Sequence, residues 1–124
     1  MAIKIVDGGF ASEMFKHVQV GERFILRGPL GNFVFHPERT VDEFWFIGTG
    51  TGVTPLYSML KEFLPKFPGK KFRLIFGVKT QSDLLFHDEF LEMEKTYENF
   101  QYWPTLSQGG MGRVQWSGTA TPRQ

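Results

Sequence analysis

A glycine-rich segment directly after a short apolar strand is the feature that most restricts how this chain can fold. Residues 44–47 are Phe-Trp-Phe-Ile, and residues 48–55 read Gly-Thr-Gly-Thr-Gly-Val-Thr-Pro. Glycines let the backbone approach a ligand closely and adopt positive φ, and free N–H groups at the start of a following helix favour a phosphate. We expect Thr54 to cap this helix and Pro55 to be its first residue, since proline needs no N–H partner there. The segment predicts a phosphate-binding turn between a strand and a helix; the alternative interpretation is a turn that serves chain topology alone.

The segment departs from two better-known phosphate-binding motifs. No Lys followed by Ser or Thr comes after its last glycine, so it is not a P-loop, and ATP hydrolysis is disfavoured. It also has Pro55 where the third glycine of a Gly-x-Gly-x-x-Gly dinucleotide fingerprint would be sought.

Strands and helices alternate through the middle of the chain. Glu43–Ile47 and the nearly all-apolar Lys71–Val78 predict strands of a sheet that is covered on both faces. Ser82 or Asp83 is expected to cap a second amphipathic helix, and Phe100–Leu106 is expected to be a third strand. Strand, helix, strand, helix, strand predicts an α/β fold with a doubly wound parallel sheet and right-handed crossovers.

The first 40 residues show a different pattern, of short strands separated by glycine turns, which is typical of a small antiparallel sheet or barrel. A short helix is expected over Ser12–Val18, with Ser12 as its cap. The strands are expected at Met1–Val6, Arg23–Arg27 and Asn32–Phe35. The polar stretch 36–42 marks the expected domain boundary, which gives one domain over 1–40 and an α/β domain over 41–124.

Composition excludes several classes of function. The 124 residues include no Cys, so disulfides, thiolate zinc sites and iron–sulfur clusters are excluded. Fourteen Lys and Arg against 13 Asp and Glu are interspersed along the chain, whereas a nucleic-acid-binding protein normally shows a basic face. The three histidines share no ligand spacing, so no metal site is expected, and no apolar run approaches the roughly 20 residues that cross a bilayer.

Several segments in the same order resemble one family. Phe46–Pro55 resembles the pyridine-nucleotide loop of the ferredoxin–NADP reductase family, flavoproteins in which an FAD-binding antiparallel barrel precedes an NAD(P)-binding α/β domain. Gly8–Ser12 and the glycine turns after it are similar to the end of that barrel. Ile75–Lys79 resembles the second nucleotide-binding strand, and Tyr102–Ser107 resembles the strand whose end faces the adenosine ribose. The resemblance covers residues 3–108.

The resemblance implies which residues would contact each cofactor. The dinucleotide pyrophosphate would be held through the backbone N–H groups of Gly48, Thr49, Gly50, Thr51, Gly52 and Val53. Thr51 or Thr54 would border the nicotinamide. The residues on the adenosine side would be Gly77, Lys79 and Ser107. The FAD pyrophosphate would lie at Gly9, Phe10, Ala11 and Ser12.

The sequence also departs from the family's pattern. The flavin-gripping Arg-x-Tyr-Ser or Arg-x-Tyr-Thr segment, most barrel strands and the late Cys-Gly-x-x motif have no counterpart in it. We therefore expect an incomplete FAD site, an α/β domain truncated at its C-terminus, and a chain that is incomplete for turnover. Gln108 follows Ser107 where NADP-preferring members have Arg, which favours NADH slightly, although Lys79 or Arg113 could supply the charge instead.

Two functional hypotheses follow. In the first, the chain is part of a cytoplasmic flavin-dependent oxidoreductase that binds NAD(P)H and passes hydride to FAD for onward electron transfer. In the second, it is a non-catalytic nucleotide-binding or partner-binding module, or one subunit of a split reductase. The expected partners are the dinucleotide, an electron-transfer protein or a chain that completes the barrel, and a second copy of this chain, with no nucleic acid and no membrane.

Overall fold

The computed structural model describes residues 1–108. The chain divides into two compact units, Met1–His36 and a second unit that begins at Pro37. Val114–Trp116, where the sequence could start one more element, and Arg113 lie outside the described residues.

The first unit contains one regular element, the helix α1 (Phe10–Lys16). Its N-cap is Gly9, and Ser12 is a buried residue inside the helix rather than its cap. The Ser12 hydroxyl accepts a hydrogen bond of 2.9 Å from the Val6 N–H, which fastens the preceding segment to the helix. The ring of Phe15 stacks on that of Phe24, with centroids 5.9 Å apart.

The three antiparallel strands expected before residue 40 are not formed as a sheet. Residues 1–6, 23–27 and 32–35 have no ladder pairing within the described part of the chain, and Ile25 and Leu26 are exposed. A strand needs a neighbour that satisfies its backbone groups, and alternation of apolar residues cannot supply one.

The second unit is built on a three-stranded parallel sheet. Its strands are β1 (Glu43–Thr49), β2 (Lys71–Val78) and β3 (Phe100–Leu106), in the order β1-β2-β3. The helix α2 (Val53–Phe63) connects β1 to β2, and α3 (His87–Thr96) connects β2 to β3. Short 3-10 turns occur at Gly50–Gly52, Leu64–Lys66 and Gln81–Asp83. The predicted α/β class and parallel sheet are confirmed.

Both helices pack on one face of this sheet, where the core lies. In β2, buried side chains alternate with half-buried ones, so a single face is fully covered. The core is formed by Phe46, Val53, Leu56, Leu60, Leu64, Phe72, Leu74, Phe76, Val78, Phe90, Phe100 and Tyr102. On the opposite face Trp45 and Ile47 are 52% and 68% exposed. A doubly wound sheet carries helices on both faces, and within residues 1–108 the helices cover one of them.

Two helix starts differ from the sequence expectation. The N-cap of α2 is Gly52, so Thr54 is the second residue of the helix and not its cap. The second helix is not capped by Ser82 or Asp83, because Asp83 closes a capping box with Thr80 around the 3-10 turn. The helix α3 then begins after Phe86, whose φ of 57° is left-handed.

Candidate functional site: the carboxyl edge of the parallel sheet

The glycine-rich segment lies where β1 ends and α2 begins. The 3-10 turn Gly50–Gly52 runs directly into α2, and neither the turn nor the helix has a side-chain cap. The first N–H groups of a helix lack intrahelical partners, and the helix dipole adds partial positive charge there. The first turn of α2 contains no acidic residue that would oppose an anion. This end of the sheet therefore offers several backbone donors to a negatively charged group.

The three glycines of this segment have different surroundings. A Cβ placed on Gly48 would lie 2.9 Å from Leu56 Cδ1 and 3.4 Å from Val53 Cα. Glycine at position 48 is therefore required for the packing of α2 against β1. A Cβ on Gly50 or Gly52 would meet no atom within 4 Å, and Gly50 has a φ of 52°.

The residues present fit a bound pyrophosphate. At Gly50 and Gly52 the missing side chains leave open space directly beside the helix start, where a side chain would obstruct a phosphate. Thr51 is exposed beside them. The Thr54 hydroxyl donates a hydrogen bond of 2.8 Å to the Thr51 carbonyl, so this carbonyl has a side-chain partner within the segment.

The expected adenosine-side residues are neighbours on β2 and β3. Ser107 donates its N–H to the Val78 carbonyl at 3.0 Å, and Gln108 donates to the Lys79 carbonyl at 2.8 Å. These bonds extend the pairing of the two strands beyond their last residues. The structure thus brings Gly77, Lys79 and Ser107 together at the carboxyl edge, beside the glycine-rich segment.

One residue in this region was missed by the sequence analysis. Thr105 pairs with Gly77, which in turn pairs with Thr49, so the three residues form one row across the sheet. A Cβ on Gly77 would lie 3.2 Å from Thr49 Cγ2 and 3.4 Å from Thr105 Oγ1. The strand alternation of β3 was the signal that could have found it, because residues two apart share a face.

A buried polar group anchors α3 to β3 below this edge. The Tyr102 hydroxyl lies 3.1 Å from His87 Nδ1, and the Tyr102 N–H donates to Glu94 Oε1 at 2.9 Å. Burial raises the pKa of the Tyr102 phenol above its ordinary value of 10, and the nearby Glu94 carboxylate raises it further. The neutral phenol is a fixed hydrogen-bonding group that holds β3 in place.

The expected FAD residues lie at the start of α1 in the first unit. Gly9 caps the helix, and a Cβ on Gly9 would lie 3.2 Å from Ser12 Oγ. The Gly9 N–H donates a hydrogen bond to the Val6 carbonyl. Phe10 is 94% exposed, and Ala11 is also exposed. Gly9 and Ser12 therefore shape the turn.

Two other kinds of site are absent from residues 1–108. No group of three His, Asp or Glu side chains in this range is arranged to hold a metal ion. No helix in this range has the length and apolar character to cross a bilayer.

A parallel sheet with an uncapped, glycine-rich helix start at its carboxyl edge defines the class of dinucleotide-binding α/β domains. Residues 46–119 match the model of the oxidoreductase NAD-binding domain family, and the chain belongs to this family.

Comparison with curated relatives points to oxidoreductases as well. The chain is 33% identical to ferredoxin–NADP reductase B of Sorangium cellulosum, over 95% of this chain and 47% of the relative. It is 32% identical to the reductase component of propane 2-monooxygenase of Mycolicibacterium goodii, over 90% of this chain and 32% of the relative. It thus spans less than half of the length of each of these relatives.

A solved structure matches the fold. A cytochrome P450 reductase of Amycolatopsis superposes with a TM-score of 0.78 at 31% identity, over 86% of this chain and 33% of that chain. The resemblance to the ferredoxin–NADP reductase family is confirmed by these matches.

Proposed function

We propose that this chain is the NAD(P)H-binding part of a flavin-dependent oxidoreductase, which passes hydride to FAD for onward electron transfer. The observation that carries the proposal is the start of α2, where Gly50 and Gly52 leave open space beside backbone N–H groups that no side chain caps. Membership in the oxidoreductase NAD-binding domain family supports the same ligand.

The residues of this chain bind and orient the dinucleotide in this proposal. Backbone N–H groups of residues 48–53 hold the pyrophosphate, and of these the Val53 N–H is already donated to the carbonyls of Gly50 and Thr51. The missing side chain of Gly48 also lets α2 pack closely on β1. Thr51 or Thr54 borders the nicotinamide, and Gly77, Lys79 and Ser107 border the adenosine. When bound, the nicotinamide supplies a hydride and the flavin accepts it, so the protein contributes position and electrostatics.

The flavin contact belongs to the first unit in this proposal. The start of α1, at Gly9, Phe10, Ala11 and Ser12, faces the FAD pyrophosphate, with Phe10 and Ala11 as the exposed members. The Ser12 hydroxyl accepts the Val6 N–H, so it orders the turn, and its own O–H is the group that can donate to a phosphate oxygen. The remaining flavin contacts come from barrel strands outside residues 1–40.

NADH is the preferred dinucleotide in this proposal. Gln108 is held beside Lys79 by its backbone hydrogen bond, at the place where an Arg would pair with a 2′-phosphate. A neutral amide cannot form the charged, bidentate pair that a guanidinium forms.

A second candidate function is a partner-binding module or one subunit of a split reductase. The observation that favours it is the exposed apolar surface of the first unit, where Ile25, Leu26 and Leu30 are exposed. The partner would be a chain that completes the barrel, an electron-transfer protein, or a second copy of this chain. In either case the cytoplasm is the proposed compartment, because a pool of reduced dinucleotide is available there.

The test compares two glycine variants in a titration with NADH, followed by intrinsic fluorescence. Gly52→Val places a side chain in the open space beside the helix start, so binding should fall at least tenfold. Gly69→Val is the matched control, because Gly69 also has no neighbour within 4 Å of a Cβ but lies in the turn before β2. Equal affinity of both variants would contradict the proposed binding mode.

A second measurement separates the two candidate functions. The purified chain is incubated with FAD, and its absorbance in the flavin bands and its NADH-dependent dye reduction are recorded. NADH binding without retained flavin, together with dimerisation in sedimentation, favours the module or split subunit. Stoichiometric flavin with dye reduction favours a self-sufficient reductase and contradicts the expected incomplete FAD site.

A further inference from the structure

We infer that Lys70 is a positioning residue, which holds the chain in place where it enters the second unit. The second unit begins at Pro37, and residues 39–42, the entry segment, precede β1 and lie outside any helix or strand. The inference rests on the proposed function, in which the second unit holds the nicotinamide and the first unit contacts the flavin. Hydride transfer requires these two groups to meet in one geometry, so the segment that joins the units has to be held.

The ammonium group of Lys70 reaches the entry segment directly. Lys70 Nζ donates hydrogen bonds to the Val41 carbonyl at 2.7 Å and to the Arg39 carbonyl at 3.1 Å. The same nitrogen lies 5.4 Å from the centroid of the Phe44 ring in β1, within the range of a cation–π contact. A charged donor forms stronger hydrogen bonds than a neutral one. One side chain therefore ties together two segments that are about 30 residues apart in the sequence.

The backbone that carries Lys70 is itself anchored. The Lys70 N–H donates to the Phe67 carbonyl at 3.1 Å, and Asn99, directly before β3, donates to the carbonyls of Phe67 and Lys70. The Lys71 N–H donates to the Asp42 carbonyl at 2.7 Å. This backbone bond holds the end of the entry segment nearest to β1, and the Lys70 side chain holds the part farther from it.

The location of Lys70 separates its role from nucleotide binding. Lys70 lies directly before β2, at the amino edge of the parallel sheet, whereas the glycine-rich segment lies at the carboxyl edge. Arg39 and Val41 are exposed, so burial of their side chains does not hold the entry segment. Loss of the Lys70 hydrogen bonds should therefore free the entry segment and leave the nucleotide-binding residues in place.

Proteolysis of the native full chain by an Arg-specific protease measures how firmly the entry segment is held. The bond cleaved after Arg39 contains the carbonyl that accepts from Lys70, so cleavage requires this contact to open. Lys70→Met removes the donors, and cleavage after Arg39 should become about three- to tenfold faster, the effect of one net hydrogen bond. Lys70→Arg restores charged donors and should return the rate to within twofold of the wild type. Lys71→Met, at the exposed neighbouring position, is the matched control and should leave the rate unchanged.

Cleavage after Arg73 is the internal reference for unfolding of the whole sheet. Arg73 is half-buried in β2, so the protease reaches it only when the sheet opens. Equal acceleration after Arg39 and Arg73 in Lys70→Met would overturn the inference, because the substitution would then act through overall stability. Equal rates after Arg39 in Lys70→Met and Lys71→Met would overturn it as well.

Distances between the two units test the positioning role itself. The chain has no Cys, so Val20→Cys in the first unit and Thr96→Cys at the end of α3 introduce two unique sites for spin labels. Both residues are exposed. The distribution of label-to-label distances should be broader in Lys70→Met than in the wild type and in Lys71→Met. Faster cleavage after Arg39 with an unchanged distance distribution would overturn the positioning role.

A titration with NADH separates this inference from the proposed function. Lys70→Met should bind NADH within twofold of the wild-type affinity, and a larger loss would overturn the inference, because Lys70 would then act on the nucleotide site. A wild type that does not bind NADH contradicts the proposed function. Cleavage and distances that depend on Lys70 would in that case still support its role in holding the entry segment.

Discussion

Substitution of Gly48 by alanine measures how closely α2 must approach β1. The new Cβ would lie 2.9 Å from Leu56 Cδ1, closer than carbon atoms pack, and Leu56 is 4% exposed. The side chain of Leu56 therefore has little room to move away. Inserting a methyl group into a well-packed core costs about 1–3 kcal/mol.

A second effect of opposite sign accompanies this cost. Replacing glycine by alanine reduces the conformational entropy of the unfolded chain, which stabilises a protein by about 0.4–1 kcal/mol where the backbone permits alanine. Gly52→Ala isolates this second effect, because Gly52 has a φ of -64° and no atom within 4 Å of a Cβ. Gly52→Ala should therefore stabilise the free protein slightly. The difference between the two variants should equal the packing cost, about 1–3 kcal/mol in favour of Gly52→Ala.

The assay is urea unfolding followed by circular dichroism. The free energy of unfolding of both variants must depend on urea concentration with the same slope, so that the two values can be compared. A double variant, Gly48→Ala with Leu56→Val, tests the cause, since the smaller side chain removes the terminal carbon that the new methyl group meets. Its free energy of unfolding should be higher than the sum of the single effects predicts, as expected for residues in contact. Equal stability of Gly48→Ala and Gly52→Ala, or additive effects in the double variant, would refute the packing role of Gly48.

Three further predictions concern other parts of the second unit. Gln108→Arg should increase the affinity for NADPH relative to NADH about tenfold, since a guanidinium can pair with the 2′-phosphate, and parallel titrations with both dinucleotides measure this ratio. Tyr102→Phe removes the hydrogen bond to His87. Its free energy of unfolding at neutral pH, measured by chemical denaturation, should be about 1–2 kcal/mol lower than that of the wild type. Because the folded-state pKa of the Tyr102 phenol is raised above 10, wild-type stability should fall as the pH rises above 10, and the Phe variant should lack this part of the alkaline loss. The Asn99 side-chain N–H groups donate to the carbonyls of Phe67 and Lys70 at 3.1 and 2.8 Å. Asn99→Ala should therefore lower the free energy of unfolding by about 1–3 kcal/mol, measured by the same chemical denaturation. Asn99→Asp, which also lacks these donors, should lower it at least as much.

The sheet could be predicted well from the sequence because its strands are strongly patterned. The expected bounds of β2 and β3 agree with the structure, and β1 extends two residues beyond its expected end. The apolar residues of these strands pack against helices that the same sequence supplies. The strands expected in residues 1–40 had a similar local pattern, but the described residues contain no partner for them, and pairing is a property of two segments.

Helix starts were harder to predict because several residues competed for the same role. Thr80 and Asp83 have the spacing of a capping box, and they form one, but around a 3-10 turn instead of α3. The start of α3 depends on Phe86, which adopts a left-handed φ that is rare for an aromatic residue. Its ring stacks on Tyr57 of α2 with centroids 4.3 Å apart. This tertiary contact offsets the strain and could not be inferred from residues 80–87 alone.

The candidate site shows the same division between local and tertiary information. The sequence identified the glycine-rich segment as a unit and assigned all of its glycines to ligand contact, because each glycine is locally equivalent. The structure separates them: Gly48 meets Leu56, which is eight residues away, whereas Gly50 and Gly52 face open space. Substitutions at 48 should therefore act through stability, and substitutions at 52 should act through affinity. A segment of this kind has to satisfy both demands at once, since the backbone donors can point at a phosphate only if the helix that carries them packs closely on the strand before it.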